Sequence, residues 1–213
     1  MQLKEECEFK RRKGKIEMYK KYVKRAIDII ISTIALIILS PFFLIISILV
    51  KVIDKNPVFY KQYRTGLYGK NFKIYKFTTM KNGKATKIGK FFRATSLDEL
   101  PQFFNVLKGD MSIVGPRPWI PEYYENFDER QKQRSDVKPG IIGLAQVKGR
   151  RRIDVFEKID YDLKYVRKVS ILQDIKIFFK CVSVLIAKEE YSNADAYISN
   201  EIDMLKERNN KQK

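Results

Sequence analysis

Thr95–Pro118 reads T-S-L-D-E-L-P-Q-F-F-N-V-L-K-G-D-M-S-I-V-G-P-R-P. Leu100, Phe103, Phe104 and Leu107 recur at i, i+3, i+4, i+7, which predicts a short helix with one apolar face, and Gly109 supplies its stop. Two adjacent carboxylates, Asp98 and Glu99, stand at the entrance of that helix. Read structurally, Asp98 is an N-cap with Pro101 in the tolerated first turn, or Ser96 and Glu99 form a capping box. A carboxylate at a helix N-terminus is also stabilised as the anion by the local dipole, which would keep Asp98 ionised. Past the helix, Met111–Val114 predicts a short apolar strand, and Gly115-Pro116-Arg117-Pro118 then holds one arginine rigidly. A guanidinium presented that way suits a phosphate or a planar base.

Around these acids the chain is strongly basic. Its 213 residues carry 43 Lys plus Arg against 25 Asp plus Glu, a formal net charge of +18. That excess calls for an anionic partner: nucleic acid, an anionic membrane surface or a phosphorylated substrate. Histidine is absent, which excludes Ser-His and Cys-His nucleophile pairs, His-ligated zinc and imidazole bases. Cys7 and Cys181 form no C-x-x-C pattern, so no disulfide framework is expected. The length accommodates one modest domain and an appended segment.

The appended segment is Ala26 to Ile53, A-I-D-I-I-I-S-T-I-A-L-I-I-L-S-P-F-F-L-I-I-S-I-L-V-K-V-I, long enough to enter a bilayer. It is too long for a signal peptide and lacks a cleavage site. Ser40-Pro41 divides it into halves of roughly 22 and 20 Å at helical rise, each short of a ~30 Å hydrocarbon core. Ten Lys or Arg precede it in residues 1–25, in clusters such as Lys10–Lys13, and twelve follow between Lys51 and Arg93 with Asp54 the single acid. Both flanks therefore demand the cytoplasmic side, which predicts a re-entrant helical hairpin rather than a span. Asp28, next to Lys24-Arg25, is expected to form a local ion pair where its burial would otherwise be costly.

Residues 57–77 alternate apolar and basic positions in two runs joined by Gly66 and Gly69, a small hairpin. Aromatics among lysines can stack bases, but beside a membrane segment the headgroup-facing reading is better, and no nucleic-acid partner is expected. Pro121–Asp136 reads as a charged, helical, solvated face. Lys138-Pro139-Gly140 begins a turn and short strand running to Val147. Asp154–Lys168 reads as a helix, and Asp174–Lys188 as an apolar helix too short to span. The division expected is a basic arm (1–25), the membrane hairpin (26–53), a catalytic domain (54–188) and a polar tail (189–213).

The string from Ser96 to Pro118 closely resembles the signature of the bacterial sugar transferase family, the monotopic phosphoglycosyl transferases. So do Lys24-Arg25 with Asp28, the Ser40-Pro41 break, Asp162 with Tyr165-Val166, and K-P-G-I-I-G-L-A-Q-V-K-G-R from Lys138 to Arg150. Departures are Thr78 in K-F-T-T-M, where arginine is usual, and Ile142 and Lys148, where Thr and Asn are common. The resemblance covers Lys24 to Lys188. It implies an α/β but mainly helical fold: a re-entrant membrane helix-break-helix plus a small cytoplasmic catalytic domain with short strands and amphipathic interfacial helices.

The function so implied is transfer of a sugar 1-phosphate from a UDP-sugar to polyprenyl (undecaprenyl) phosphate, releasing UMP. This would be the first membrane step of polysaccharide or glycoconjugate synthesis at the bacterial inner membrane. By the same resemblance Asp98 is the nucleophile that carries a covalent phosphosugar, Glu99 holds Mg²⁺, Arg93 grips the lipid phosphate, Arg117 serves the nucleotide and Arg150 contacts phosphate. A non-catalytic, membrane-tethered polybasic scaffold reading anionic lipids explains the arm and the anchor. It leaves Asp98-Glu99 and the Pro-Arg-Pro turn without a purpose. The sequence leaves the oligomeric state and the identity of the sugar open.

Overall fold

The computed structural model describes residues 14, 16–149, 153–186 and 194–211. The Lys10–Lys13 cluster and Arg150 lie outside the described residues. Ile16–Ile53 forms one helix long and apolar enough to cross a membrane. Its α-helical body, α1 (Lys24–Ile48), widens into π turns at Tyr19–Val23 and Leu49–Ile53. At Ser40-Pro41, where the sequence predicts a break, the backbone stays helical. Proline offers no N–H to the carbonyl four residues back, and the Ser40 hydroxyl donates to that Ile37 oxygen at 2.8 Å instead.

Both ends of α1 rest on the same small body. At one end Arg25 donates to the carbonyls of Val106 and Leu107, and Asp28 accepts from Ser112 Oγ and Ile113 N at 3.1 and 3.0 Å. Tyr19 and Lys24 both reach Asp174, whose other carboxylate oxygen accepts from Tyr165. Asp28 thus satisfies backbone and hydroxyl donors as well as lying near Lys24. At the other end Ile46 and Val50 pack with Phe77 and Phe92, and the Phe43 ring lies 5.8 Å from that of Phe104. Arg25 and Phe43 are separated by roughly 27 Å of helical rise, yet their partners Leu107 and Phe104 sit three residues apart. Between these anchor points Ile30, Ile34, Ile37, Ile38, Phe42 and Leu44 are exposed.

The body is mostly helical with short strands. β1 (Phe59–Thr65) and β2 (Asn71–Phe77) form an antiparallel hairpin, pairing Phe59 with Phe77 and Thr65 with Asn71. A two-residue hairpin, Met80–Lys81 with Lys84–Ala85, leads to α2 (Lys87–Ala94), capped by the Thr86 hydroxyl. After a 3-10 turn, Leu97–Glu99, comes α3 (Gln102–Lys108), ended by Gly109 at φ 96°, a conformation costly for other residues. β3 (Ser112–Val114) pairs in parallel with β4 (Gly140–Ile142). A Cβ on Gly140 would lie 2.1 Å from the Gly115 nitrogen, so glycine is what lets the two loops meet. α4 (Pro121–Glu125) and α5 (Glu129–Lys132) lie between these strands in sequence. α6 (Leu144–Lys148), α7 (Val155–Arg167), α8 (Ile171–Ile186) and α9 (Ala194–Lys211) follow. The strand expected up to Val147 is therefore only three residues long before α6 takes over.

The main core joins Phe72 and Ile74 of β2, Val106 of α3, Ile113 and Val114 of β3, Tyr165 of α7 and Ile177 of α8. A second cluster corrects the reading of Pro121–Asp136 as a solvated face. Tyr123 and Phe127 are buried there against Val155, Ile159, Leu163 and Leu205. Arg134 is buried as well, because its guanidinium pairs with Asp162 at 2.6 Å and stacks on Trp119; a buried charge is tolerated when so paired. α8 buries Asp174 and Ile177 while Leu172, Ile175 and Phe179 face outward. The stretch read as a polar tail contains α9, which contributes Leu205 to the second cluster.

Candidate active site

The acidic pair does not cap a helix. Ser96 sits in the left-handed region at φ 58°, whereas a capping residue is extended. No side-chain cap forms there, and Glu99 N donates to the Ser96 backbone oxygen instead. α3 starts three residues beyond the acids, with Pro101 at its N-cap position. Both carboxylates are thereby released from capping and turned into the body.

Their environments differ sharply. Glu99 accepts from Lys76 Nζ and from Arg117 Nη2, each at 2.6 Å. Burial pushes its carboxyl up, but the two cations outweigh this and hold it well below the usual carboxylate range. Asp98 is also buried, and among the described residues it carries no hydrogen bond or ion pair. Burial first, and then the charge of Glu99, raise its pKa to about 6 against the pull of Lys76, Arg93 and Arg117. The helix dipole expected to favour the Asp98 anion is not what sets its pKa, since the residue lies in a 3-10 turn ahead of α3 and burial is the largest influence on it. Two adjacent carboxylates thus have separate characters: one clamped and favoured as the anion by two cations, the other raised in pKa and unpaired among the described residues.

Three elements deliver the cations. Lys76 lies near the end of β2, and β2 is fixed to α3 by Asn105, fully buried, whose side chain accepts from Tyr75 N at 3.0 Å and donates to Lys73 O at 2.7 Å. That bridge sets the spacing over which Lys76 meets Glu99. Arg117 comes from the Pro-Arg-Pro turn, pinned where Gly115 N donates to Ile142 O and Gly140 N to Pro116 O. Arg64 of β1 borders the same pocket as Lys76 and Arg117, and burial and Arg117 lower its pKa to about 10. Arg93, in the last turn of α2, is near enough to Asp98 to be felt electrostatically. The structure therefore brings Asp98, Glu99, Arg93 and Arg117 together. The sequence reading missed Lys76 as a site residue, although it lies in the noted K-F-T-T-M element, and it had no signal for Arg64 or Asn105.

The bacterial sugar transferase family matches residues 19–188. The chain is 47% identical over 181 residues to a UDP-glucose:undecaprenyl-phosphate glucose-1-phosphate transferase of Klebsiella pneumoniae. It is 43% identical over 182 residues to the protein of the same name in Escherichia coli strain K12. Each of these alignments covers 75% of this chain and 39% of the relative, so the chain spans well under half of their length. An uncharacterized sugar transferase of Bacillus subtilis strain 168, EpsL, is 39% identical over 179 residues, covering 78% of this chain and 89% of that one. With the match taking in the apolar helix, the acidic pair and the Pro-Arg-Pro turn, this chain belongs to the bacterial sugar transferase family.

Proposed function

We propose that this chain transfers a sugar 1-phosphate from a UDP-sugar to undecaprenyl phosphate, the reaction named for its two long relatives. The observation that carries the reading is the split between Asp98 and Glu99: an unpaired, buried carboxylate beside one caged by Lys76 and Arg117. An Asp98 oxygen attacks the β-phosphorus of the UDP-sugar. The bond from that phosphorus to the bridging oxygen breaks, and UMP leaves with the electron pair. The sugar phosphate is then held on Asp98 as an acyl phosphate. An oxygen of the polyprenyl phosphate attacks the same phosphorus, the bond to Asp98 breaks, and the sugar diphosphate lipid departs. Lys76 and Arg117 face charge on the transferring group, while Arg93 serves the lipid phosphate.

Asp98 and Glu99 offer the hard oxygens that Mg²⁺ takes, and to hold the ion Glu99 would have to exchange its contacts with Lys76 and Arg117 for it. Mg²⁺ takes one or two carboxylates and fills its shell with phosphate oxygens and water. Glu99 is the residue that would hold it, and the ion would neutralise diphosphate charge.

The same reading places the protein at the bacterial inner membrane with its catalytic body on the cytoplasmic face. Its apolar segment is re-entrant, between the basic arm and a catalytic domain from residue 54 to 188. Support comes from α1, since a helix spanning the bilayer would part Arg25 and Phe43 to opposite sides, whereas both touch α3. The exposed apolar faces of α1 and α8 suit lipid. Purified protein supplied with undecaprenyl phosphate and a panel of UDP-sugars should release UMP with one of them. No UMP from any would refute the reaction.

A further inference from the structure

A pocket beside the dyad is lined by Arg64, Ile74, Lys76, Gln102, Arg117 and Pro118. Its polar side chains are three cations and one amide. Glu99, which meets two of these cations, is already occupied by Lys76 and Arg117. Two donors in this pocket have no partner among the described residues. Gln102, 1% exposed, leaves its Nε2 unpaired, and so does the buried Nε of Arg64. Arg64 Nη2 donates to Gln62 Oε1 at 2.6 Å, which holds the guanidinium while its Nε stays unused. Buried donors are normally satisfied, and two unsatisfied ones lining a single pocket imply an acceptor brought by a ligand.

We infer that Arg64 and Gln102 form an anion subsite that receives the phosphate of the leaving nucleoside monophosphate. This rests on the proposed reaction. The ligand has to accept at several oxygens and carry negative charge, and a phosphate does both, taking Arg64 and Arg117 as forks and Gln102 as a neutral donor. Both the nucleotide and the lipid acceptor carry phosphate. The lining decides between them, because it comes from the hairpin, α3 and the Pro-Arg-Pro turn, with no residue of the apolar helix or of the Phe92 cluster. That lining offers a prenyl chain only Ile74 and Pro118. Arg93, on α2, lies outside this lining and remains for the acceptor.

The test is equilibrium binding of UMP, uridine and farnesyl phosphate to the full chain in nanodiscs. Arg64→Met and Gln102→Leu are each expected to weaken UMP about tenfold, the loss of one charge-assisted contact. Uridine, which lacks the phosphate, and farnesyl phosphate should bind as to wild type. Arg64→Lys keeps the charge without Nε and should fall between wild type and Arg64→Met, and melting temperatures identify any variant that has lost its fold. Equal UMP affinity in wild type and the folded variants overturns the subsite. So does a loss confined to farnesyl phosphate, or a wild type that binds no UMP. A wild type whose UMP binding depends on Arg64 and Gln102, but which releases no UMP from any UDP-sugar, keeps the subsite and removes the proposed reaction.

Discussion

Arg134 donates from Nη2 to the backbone oxygen of Arg117 at 2.8 Å, while its Nε and Nη2 hold Asp162 at 3.0 and 2.6 Å. Asp162 stands on α7, forty-five positions beyond the turn it helps to fix. The buried ion pair therefore works as a strut under the Pro-Arg-Pro turn. Arg134→Ala leaves Asp162 buried and unpaired, a loss of about 3–5 kcal/mol, or roughly 6–20 °C in melting temperature for a chain of this size. Arg134→Met with Asp162→Leu should regain most of that stability but still turn over more slowly, because the Arg117 carbonyl has lost its anchor. Wild-type turnover in the stable double variant would disprove the strut.

Asp98→Asn should abolish sugar phosphate transfer and eliminate the covalent adduct. Intact-mass measurement after incubation with a UDP-sugar alone checks this. Normal activity in that variant would sink the nucleophile assignment.

The pH dependence follows from the raised Asp98 pKa. An attacking carboxylate must be ionised, so adduct formation should fall as pH drops through about 6. Glu99 raises the pKa and Lys76 lowers it. Lys76→Met should therefore move the acid limb of kcat/KM to higher pH, and an unmoved limb would contradict the arrangement. The linkage sign is opposite to that of a salt-bridged aspartate. The folded state holds this proton more tightly than the unfolded chain. The stabilisation is thus complete below the unfolded carboxylate pKa and is lost as pH rises through about 6.

Glu99→Gln removes the charge that Lys76 and Arg117 grip and that Mg²⁺ would need. Residual activity in this variant should no longer respond to Mg²⁺ titration. A Mg²⁺ requirement identical to that of the wild type would assign the ion to other ligands.

The re-entrant topology predicts one side for both flanks of the apolar helix. Cysteines placed by Lys20→Cys and Lys55→Cys should resist a membrane-impermeant maleimide in intact cells and react once the cells are permeabilised. Labelling of either from outside the cell would refute the arrangement.

Much of this was legible locally. The apolar spacing of Leu100 to Leu107 and the Gly109 stop mark α3 to within two residues, because side-chain periodicity reports which face of a helix is buried. The runs either side of Gly66 and Gly69 mark β1 and β2. Pro121–Asp136 was misread, since its charges looked solvated until Arg134 found Asp162 from a distant helix. Ser40-Pro41 was expected to break the helix, but the Ser40 hydroxyl satisfies the Ile37 carbonyl that proline leaves open and the backbone stays helical.

By itself the sequence determined that Asp98 and Glu99 stand just ahead of an apolar helix, that a lipid-compatible segment precedes them, and that basic charge and the absence of histidine direct the chemistry toward phosphate and carboxylate. Only the tertiary structure decided the surroundings of each acid, with Glu99 held by Lys76 and Arg117 and Asp98 buried without a partner among the described residues. The pairing of Lys76 with Glu99 spans 23 positions and depends on Asn105 stitching β2 to α3. Local patterns fix which side chains turn inward, whereas the field that separates two neighbouring carboxylates comes from charges that folding alone brings beside them.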